Sequence, residues 1–138
     1  MKRIITSILF LLVVLCSYAQ TKRFYCELKG MDNSIGTGLD IIIDFGERRC
    51  HSVSGELTSN LHIVNEENGD IIKFNSMVDA ANYITERGWQ FQQAYSSTYQ
   101  KNSVTNWIFY KDAESLEEAK LGITTREEYK AAHKKKKK

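Results

Sequence analysis

Residues suited to chemistry are few in this chain, and they are scattered. Cys50 and His51 are its only adjacent thiol and imidazole. A thiol nucleophile needs its base within hydrogen-bond reach and a third group to orient that base. Neighbours on a strand point to opposite faces, so this pair is expected to be inert as a catalyst. His51, His62 and His133 are far apart, and no His-x-x-x-His spacing occurs, so no metal centre is expected. Asp40 and Asp44 fall on one face of an alternating run. Four residues along a strand span about 13 Å, too far for two carboxylates to serve as acid and base on one glycosidic bond, and a solvated strand face is the expected role. No catalytic, metal-binding or cofactor-binding residue is assigned, and no cofactor is expected. The competing enzymatic reading is a small periplasmic hydrolase with its site in the polar segment Gly46 to Asn60.

Binding is better supported than catalysis. Trp89, Phe91, Tyr95, Tyr99, Trp107, Phe109 and Tyr110 crowd into one stretch of 22 residues. Trp89, Phe91 and one of Trp107 or Ile108 are expected in the core. Tyr95, Tyr99 and Tyr110 are then the candidate binding face, since tyrosine offers an apolar ring with a polar tip. Cys26 and Cys50 are a candidate disulfide, of a kind found in oxidising compartments and worth about 3 kcal/mol in the chain-entropy model. The alternative is two separate thiols, with Cys26 on the inward face of a strand.

The compartment follows from the N-terminus. Lys2 and Arg3 precede an apolar stretch from Ile4 to Leu15, broken only by Thr6 and Ser7, and small residues stand at Ser17 and Ala19. That order is the pattern of a cleavable export signal, with the cut expected between Ala19 and Gln20. The apolar run is shorter than the roughly 20 residues that cross a bilayer, so no transmembrane span is expected. Lipid attachment at Cys16 is the competing reading, but Val14 and Leu15 stand where a lipoprotein signal carries small residues. The expected location is periplasmic or extracellular.

Charge narrows the partners. Without Lys2 and Arg3 the 19 basic residues fall to 17, equal to the 17 acidic ones; without Lys134 to Lys138 the basic count is 12, a net charge of −5. The domain is acidic and only its end is basic, which argues against nucleic acid as a partner. An envelope protein or a glycan is the expected partner class. The Lys134–Lys138 run is expected to be a solubilising end, with weak contact to anionic surfaces as its functional alternative. Oligomeric state is left open by the sequence.

Several elements must position these groups. Phe24, Cys26 and Leu28 alternate with polar neighbours, and Leu39, Ile41, Ile43 and Phe45 do the same, so both runs read as half-buried strands of one hairpin. Glu66-Glu67-Asn68-Gly69 between Leu61–Val64 and Ile71–Phe74 is a turn signal. Ser76 with Asp79 resembles a capping box, Met77, Ala80, Ala81 and Ile84 recur at helical spacing, and Gly88 suits the residue past a helix end, which predicts a helix over Met77 to Arg87. Strands are expected from Trp89 to Tyr95 and from Val104 to Lys111, joined by a turn region over Ser96 to Asn102. Glu114 to Leu121 and a second helix opened by Thr125-Arg126-Glu127-Glu128 complete the chain; both are too short to be stable alone and either dock or stay mobile. The expected fold is α+β: an antiparallel sheet of about four to six strands with one central helix packed on one face, plus short C-terminal helices. The expected division is a signal over residues 1–19, a domain over 20–112 and a tail over 113–138.

Phe74-Asn75-Ser76-Met77-Val78-Asp79-Ala80-Ala81-Asn82-Tyr83, then Gly88-Trp89-Gln90-Phe91, then Trp107-Ile108-Phe109-Tyr110-Lys111 resemble a bacterial family of small exported domains of unknown function. Its marker is a short helix ending in Gly-Trp, followed by a strand and a returning strand. Ala81 and Gln90 stand where that family usually has Leu and Glu. Leu121-Gly122-Ile123-Thr124-Thr125-Arg126-Glu127-Glu128-Tyr129 resembles the short C-terminal domain family known as SHOCT, which implies an oligomerisation or docking tail. The first resemblance implies a fold and no activity. The function expected from all of this is a non-enzymatic binding module of the cell envelope, with a self-associating structural subunit as the alternative.

Overall fold

The computed structural model describes residues 21–32, 39–47, 59–99 and 102–135. Its main body is a four-stranded antiparallel sheet of β1 (Lys22–Asp32), β2 (Leu39–Asp44), β4 (Gln90–Tyr99) and β5 (Asn102–Ala113), in the order β2-β1-β5-β4. The N-terminal strand β1 therefore sits inside the sheet, with β2 on one side and β5 on the other. Two-residue strands β3 (Ile63–Val64) and β6 (Thr124–Thr125) pair in a second sheet. Helices α1 (Met77–Thr85), α2 (Leu116–Ala119) and α3 (Arg126–Lys135) complete the α+β architecture expected from the sequence.

Period-two alternation builds the core face. Register sets Leu28 against Ile43 and Trp107, and Cys26 against Phe109, so the apolar phase of each strand lies on one side. Helix α1 covers that side with Met77, Ala80, Ala81 and Ile84, all buried. Its start is fixed locally: Ser76 Oγ accepts from Asp79 N at 3.1 Å, while Asp79 Oδ2 accepts from Asn75 N at 2.9 Å. The reciprocal bond of the capping box thus reaches one residue further back than the usual form. Close approach of α1 to β1 requires Gly30, where a Cβ would lie 2.5 Å from Met77 Sδ and 2.7 Å from Leu39 Cδ2. The helix ends two residues earlier than predicted, in a turn through Gly88 at φ +87°. That turn swings Trp89 back under the helix, where it is 1% exposed and packs on Phe45 with ring centroids 5.7 Å apart.

Phe91 does not join the core as expected. It lies opposite Phe109 on the core side, yet it is 51% exposed, because β4 is the edge strand of the sheet. The pairing of β4 with β5 shifts between Phe91 and Gln93, a β-bulge. One extra residue reverses which face the following side chains occupy, so Tyr95 points away from Phe91's side of the sheet instead of sharing it. The strand also runs through Ser96 to Tyr99, so most of the stretch read as a turn is ladder.

Leu61 to Phe74 differs from the expected hairpin in its arms. The turn is present: Asn65 N donates to Asp70 O at 2.9 Å, Gly69 N donates to Asn65 O at 2.8 Å, and Gly69 has φ +77°. The arms pair only through one bridge, Val64 with Ile71, and Ile72 N donating to Ile63 O at 2.9 Å. Ile63 and Val64 instead pair mainly with Thr125 and Thr124 of the C-terminal segment. The same stretch covers the outer edge of β2, where Ile43 N donates to Leu61 O at 3.0 Å.

Residues 113 to 135 dock on this body. Ala113, Ala119 and Ile123 belong to the buried core. Lys111 Nζ donates to Arg87 O at 2.9 Å and to Ala119 O at 3.1 Å, and Arg87 Nε donates to Gly122 O at 2.6 Å. The Thr125–Glu128 capping box forms as predicted, with Glu128 Oε2 accepting from Thr125 N at 2.8 Å. His133 lies within α3 and stacks on Tyr129 with centroids 4.0 Å apart. Lys120 ties the segment down by bonding to Glu47 at 2.6 Å and to Glu128, with its ammonium 5.0 Å from the centre of the Phe45 ring.

That clamp gives the docked segment an acid dependence. Burial raises the Glu128 pKa, but the bonds from Lys120 and Thr125 outweigh it and hold the carboxyl below the ordinary glutamate value of 4.5. A folded pKa below the unfolded one stabilises above the unfolded value and is lost as pH falls through the folded value. Hydrogen exchange of the α3 amides is therefore expected to accelerate as pH drops below about 4.5, after correction for intrinsic exchange. In Glu128→Gln that acid-sensitive step should be largely absent, and an unchanged step would assign it to another carboxylate.

Candidate functional site

The sheet face opposite the helix carries the polar phase of the strands, together with the buried Ile42 and Val104. β1 contributes Arg23, Tyr25, Glu27 and Lys29, β5 contributes Ile108, Tyr110 and Asp112, and β2 contributes Asp44, as the registers require. The bulge in β4 adds Tyr95 to this face, opposite Asn106, while Gln90 lies opposite Tyr110. Tyr95 and Tyr110, two members of the predicted binding face, are thereby brought to one side of the sheet. Tyr99 pairs with Asn102 at the far end of the β4–β5 ladder; its side chain lies outside the described residues.

Most of these polar groups are paired with one another. Arg23 forms a two-pronged bond to Asp112, Nε to Oδ1 at 2.9 Å and Nη2 to Oδ2 at 3.1 Å, and its guanidinium carbon sits 4.3 Å from the centre of the Tyr110 ring. Asp112 is held below the usual carboxylate range by that bond. Tyr110 OH donates to Gln90 Oε1 at 2.7 Å, and its ring lies 6.5 Å from that of Tyr25. Tyr95 OH donates to Glu27 Oε1, which raises the phenol pKa because the carboxylate favours the protonated form. Lys29 Nζ bridges Glu27 at 3.1 Å and Asp44 at 3.2 Å. Burial lowers the Lys29 pKa, but the two carboxylates outweigh it and the ammonium is stabilised. Asp44 is therefore half-buried and paired, rather than simply solvated, and its Oδ1 also accepts from Gly46 N at 2.8 Å.

Between these groups lies a groove of about 240 Å³ lined by Tyr25, Glu27, Asp44, Gly46, Tyr95 and Ile108. Tyr25 is 51% and Tyr95 45% exposed, so two exposed rings line the groove together with the Glu27 and Asp44 side chains and Ile108. Such a surface can stack on a ligand's CH groups and accept hydrogen bonds from its hydroxyls or amides.

Comparison with protein-family models, with curated proteins and with solved structures finds no match to this chain.

The remaining sequence candidates fall elsewhere. Cys26 is buried with its thiol free, and burial pushes its pKa well above the ordinary range. Cys50 and His51 lie outside the described residues, as do Ala19 and Gln20. His62 is buried and holds Asp40 at 2.6 Å through Nε2, while Nδ1 lies 3.0 Å from Ser59 O. Both ring nitrogens thus face acceptors, an arrangement that orients the ring. Asp40, read from the sequence as solvated, is this histidine's partner. Among the described residues no three His, Cys, Asp or Glu side chains converge as metal ligands, and no helix is long and apolar enough to cross a membrane.

Sequence reading missed Arg23, Tyr25, Glu27, Lys29 and Asp44 as members of the site. Their signal was present as the polar phase of β1 and β2. What lacked a signal was the pairing of β1 with β5, which sets Tyr25 beside Tyr110 and Glu27 within reach of Tyr95.

Proposed function

We propose that this protein is a non-enzymatic binding module of the cell envelope, exported by its N-terminal signal, and that the groove between Tyr25 and Tyr95 is its recognition surface. The observation that carries the reading is the pair of exposed rings around the Glu27 and Asp44 carboxylates. The chemistry that fits is a polyhydroxylated chain, a glycan, whose sugar faces stack on the rings and whose hydroxyls donate to the carboxylates. The resemblance of Phe74 to Lys111 to small exported domains agrees with this reading. So does the acidic charge of the domain, which disfavours nucleic acid.

Titration of the protein with soluble fragments of envelope polysaccharide, followed by NMR shifts of the tyrosine rings, tests it. Tyr25→Ala is expected to weaken binding by about tenfold or more, as for an aromatic anchor, while leaving thermal unfolding nearly unchanged because Tyr25 is exposed and outside the core. Binding that is indifferent to Tyr25→Ala would remove the groove from the function. Capture of an envelope protein through the same two tyrosines, with no glycan response, would keep the surface and replace the ligand class.

A further inference from the structure

The groove between Tyr25 and Tyr95 holds more negative charge than its neighbours neutralise. Glu27 and Asp44 stand opposite each other on β1 and β2, and both line the groove. Their side chains are only 21% and 14% exposed, so salt and water screen them poorly. Among the described residues Lys29 is the one cation paired with either, and it serves both, at 3.1 Å and 3.2 Å. Two carboxylates against one ammonium leave a net charge of −1 in a half-buried place. Arg23, further along β1, is already engaged through both prongs of its guanidinium by Asp112. Hydrogen bonding is equally incomplete. Glu27 accepts from Tyr95 and Lys29, and Asp44 accepts from Lys29 and Gly46, whereas a carboxylate has about four acceptor sites.

We propose that the glycan bound in this groove carries a free amino group, whose ammonium lies beside the Tyr25 and Tyr95 rings and bonds to Glu27 and Asp44. Two features favour an ammonium over a neutral hydroxyl. It brings three donors together with the missing positive charge, and it meets exposed aromatic faces, which attract cations through the ring quadrupole. Acetylating that nitrogen removes the charge and two of the donors, so the same sugar with its amine blocked is the poorer ligand. A bare divalent cation fits less well. Two carboxylates are fewer ligands than calcium takes, and among the described residues no third His, Cys, Asp or Glu converges with them. This ligand class rests on the glycan reading of the groove and narrows it to de-N-acetylated amino sugars.

Calorimetric titration of protein expressed from the full sequence, at about pH 6 where a sugar amine is protonated, tests the proposal. The probes are three tetrasaccharides of one linkage, built from glucosamine, from N-acetylglucosamine and from glucose. The glucosamine chain is expected to bind at least about tenfold tighter than either of the others. Glu27→Gln, which brings the groove to neutrality, is expected to level the three, with its folding checked by its thermal transition. Equal binding of all three, or a preference for the N-acetylated chain, overturns the proposal and leaves the glycan reading standing. No binding of any, or binding indifferent to Tyr25→Ala, overturns both. A trilysine peptide that binds as tightly as the glucosamine chain reduces recognition to charge alone and overturns the proposal, as does a preference kept in folded Glu27→Gln. Should that variant fail to fold, salt decides on the wild type: a preference that is the same at about 0.02 M and about 1 M salt overturns it.

Discussion

Trp89→Ala is expected to remove about 3–5 kcal/mol of stability, most of what a domain of this size has. Trp89 is among the largest fully buried side chains, and it is placed by backbone, with Gly88 turning the chain and Trp89 N donating to Ile84 O at 3.3 Å. Its removal separates α1 from Phe45 and opens a large cavity under the helix. The companion variant is more informative. Trp89 Nε1 has no hydrogen-bond partner among the described residues, and a buried unsatisfied donor costs about 1–3 kcal/mol. Trp89→Phe loses ring volume but also removes that donor, so it is expected to be destabilised by only about 1 kcal/mol. Urea unfolding of both variants measures the difference. If Phe proves as damaging as Ala, the indole N–H is satisfied in solution and its apparent isolation is wrong.

Gly69→Ala should be the most damaging substitution outside the core. At φ +77° an alanine is strained by about 1–2 kcal/mol, and its Cβ would lie 2.3 Å from Tyr129 Cε1 and 2.7 Å from Cζ. The ring cannot give way freely, because it also stacks on His133. The expected outcome is release of α3, read as loss of amide protection from Arg126 onward and a total cost of about 2–3 kcal/mol. Tyr129→Ala separates the two causes. In that background the steric part is gone, so Gly69→Ala should cost only the backbone strain. Equal costs in both backgrounds would mean that the ring does not rest on the turn in solution.

Legibility of the structure tracked the distance over which the signals act. Helix α1 was readable to within two residues because its cap, its apolar positions and its closing glycine all lie within thirteen consecutive residues. The strand alternation of β1 and β2 was equally local. The bulge at Phe91–Gln93 was not readable, because no glycine or proline marks it, and it changes the face on which Tyr95 lies. The exposure of Phe91 was unreadable for a related reason: an edge position depends on strand order, and strand order is not a local property. Pairing of β3 with β6 joins two-residue strands some sixty residues apart, too short to leave a pattern. The candidate site belongs to this second class. Its tyrosines were visible as types, but the bond from Tyr95 to Glu27 spans 68 positions and could only be seen once the sheet was assembled.

The place of β1 inside the sheet bears on how the chain folds. Lys22 lies opposite Ala113, so the first described strand gains its second neighbour only from β5, 91 positions further on (113 − 22). Contacts of that sequence separation close late, after the entropy of a long loop has been lost. A growing chain with this topology holds β1 half-paired until β5 has been made, and the main sheet closes only then. The same delay is what a polypeptide needs if, as proposed, it must thread through a membrane before it folds.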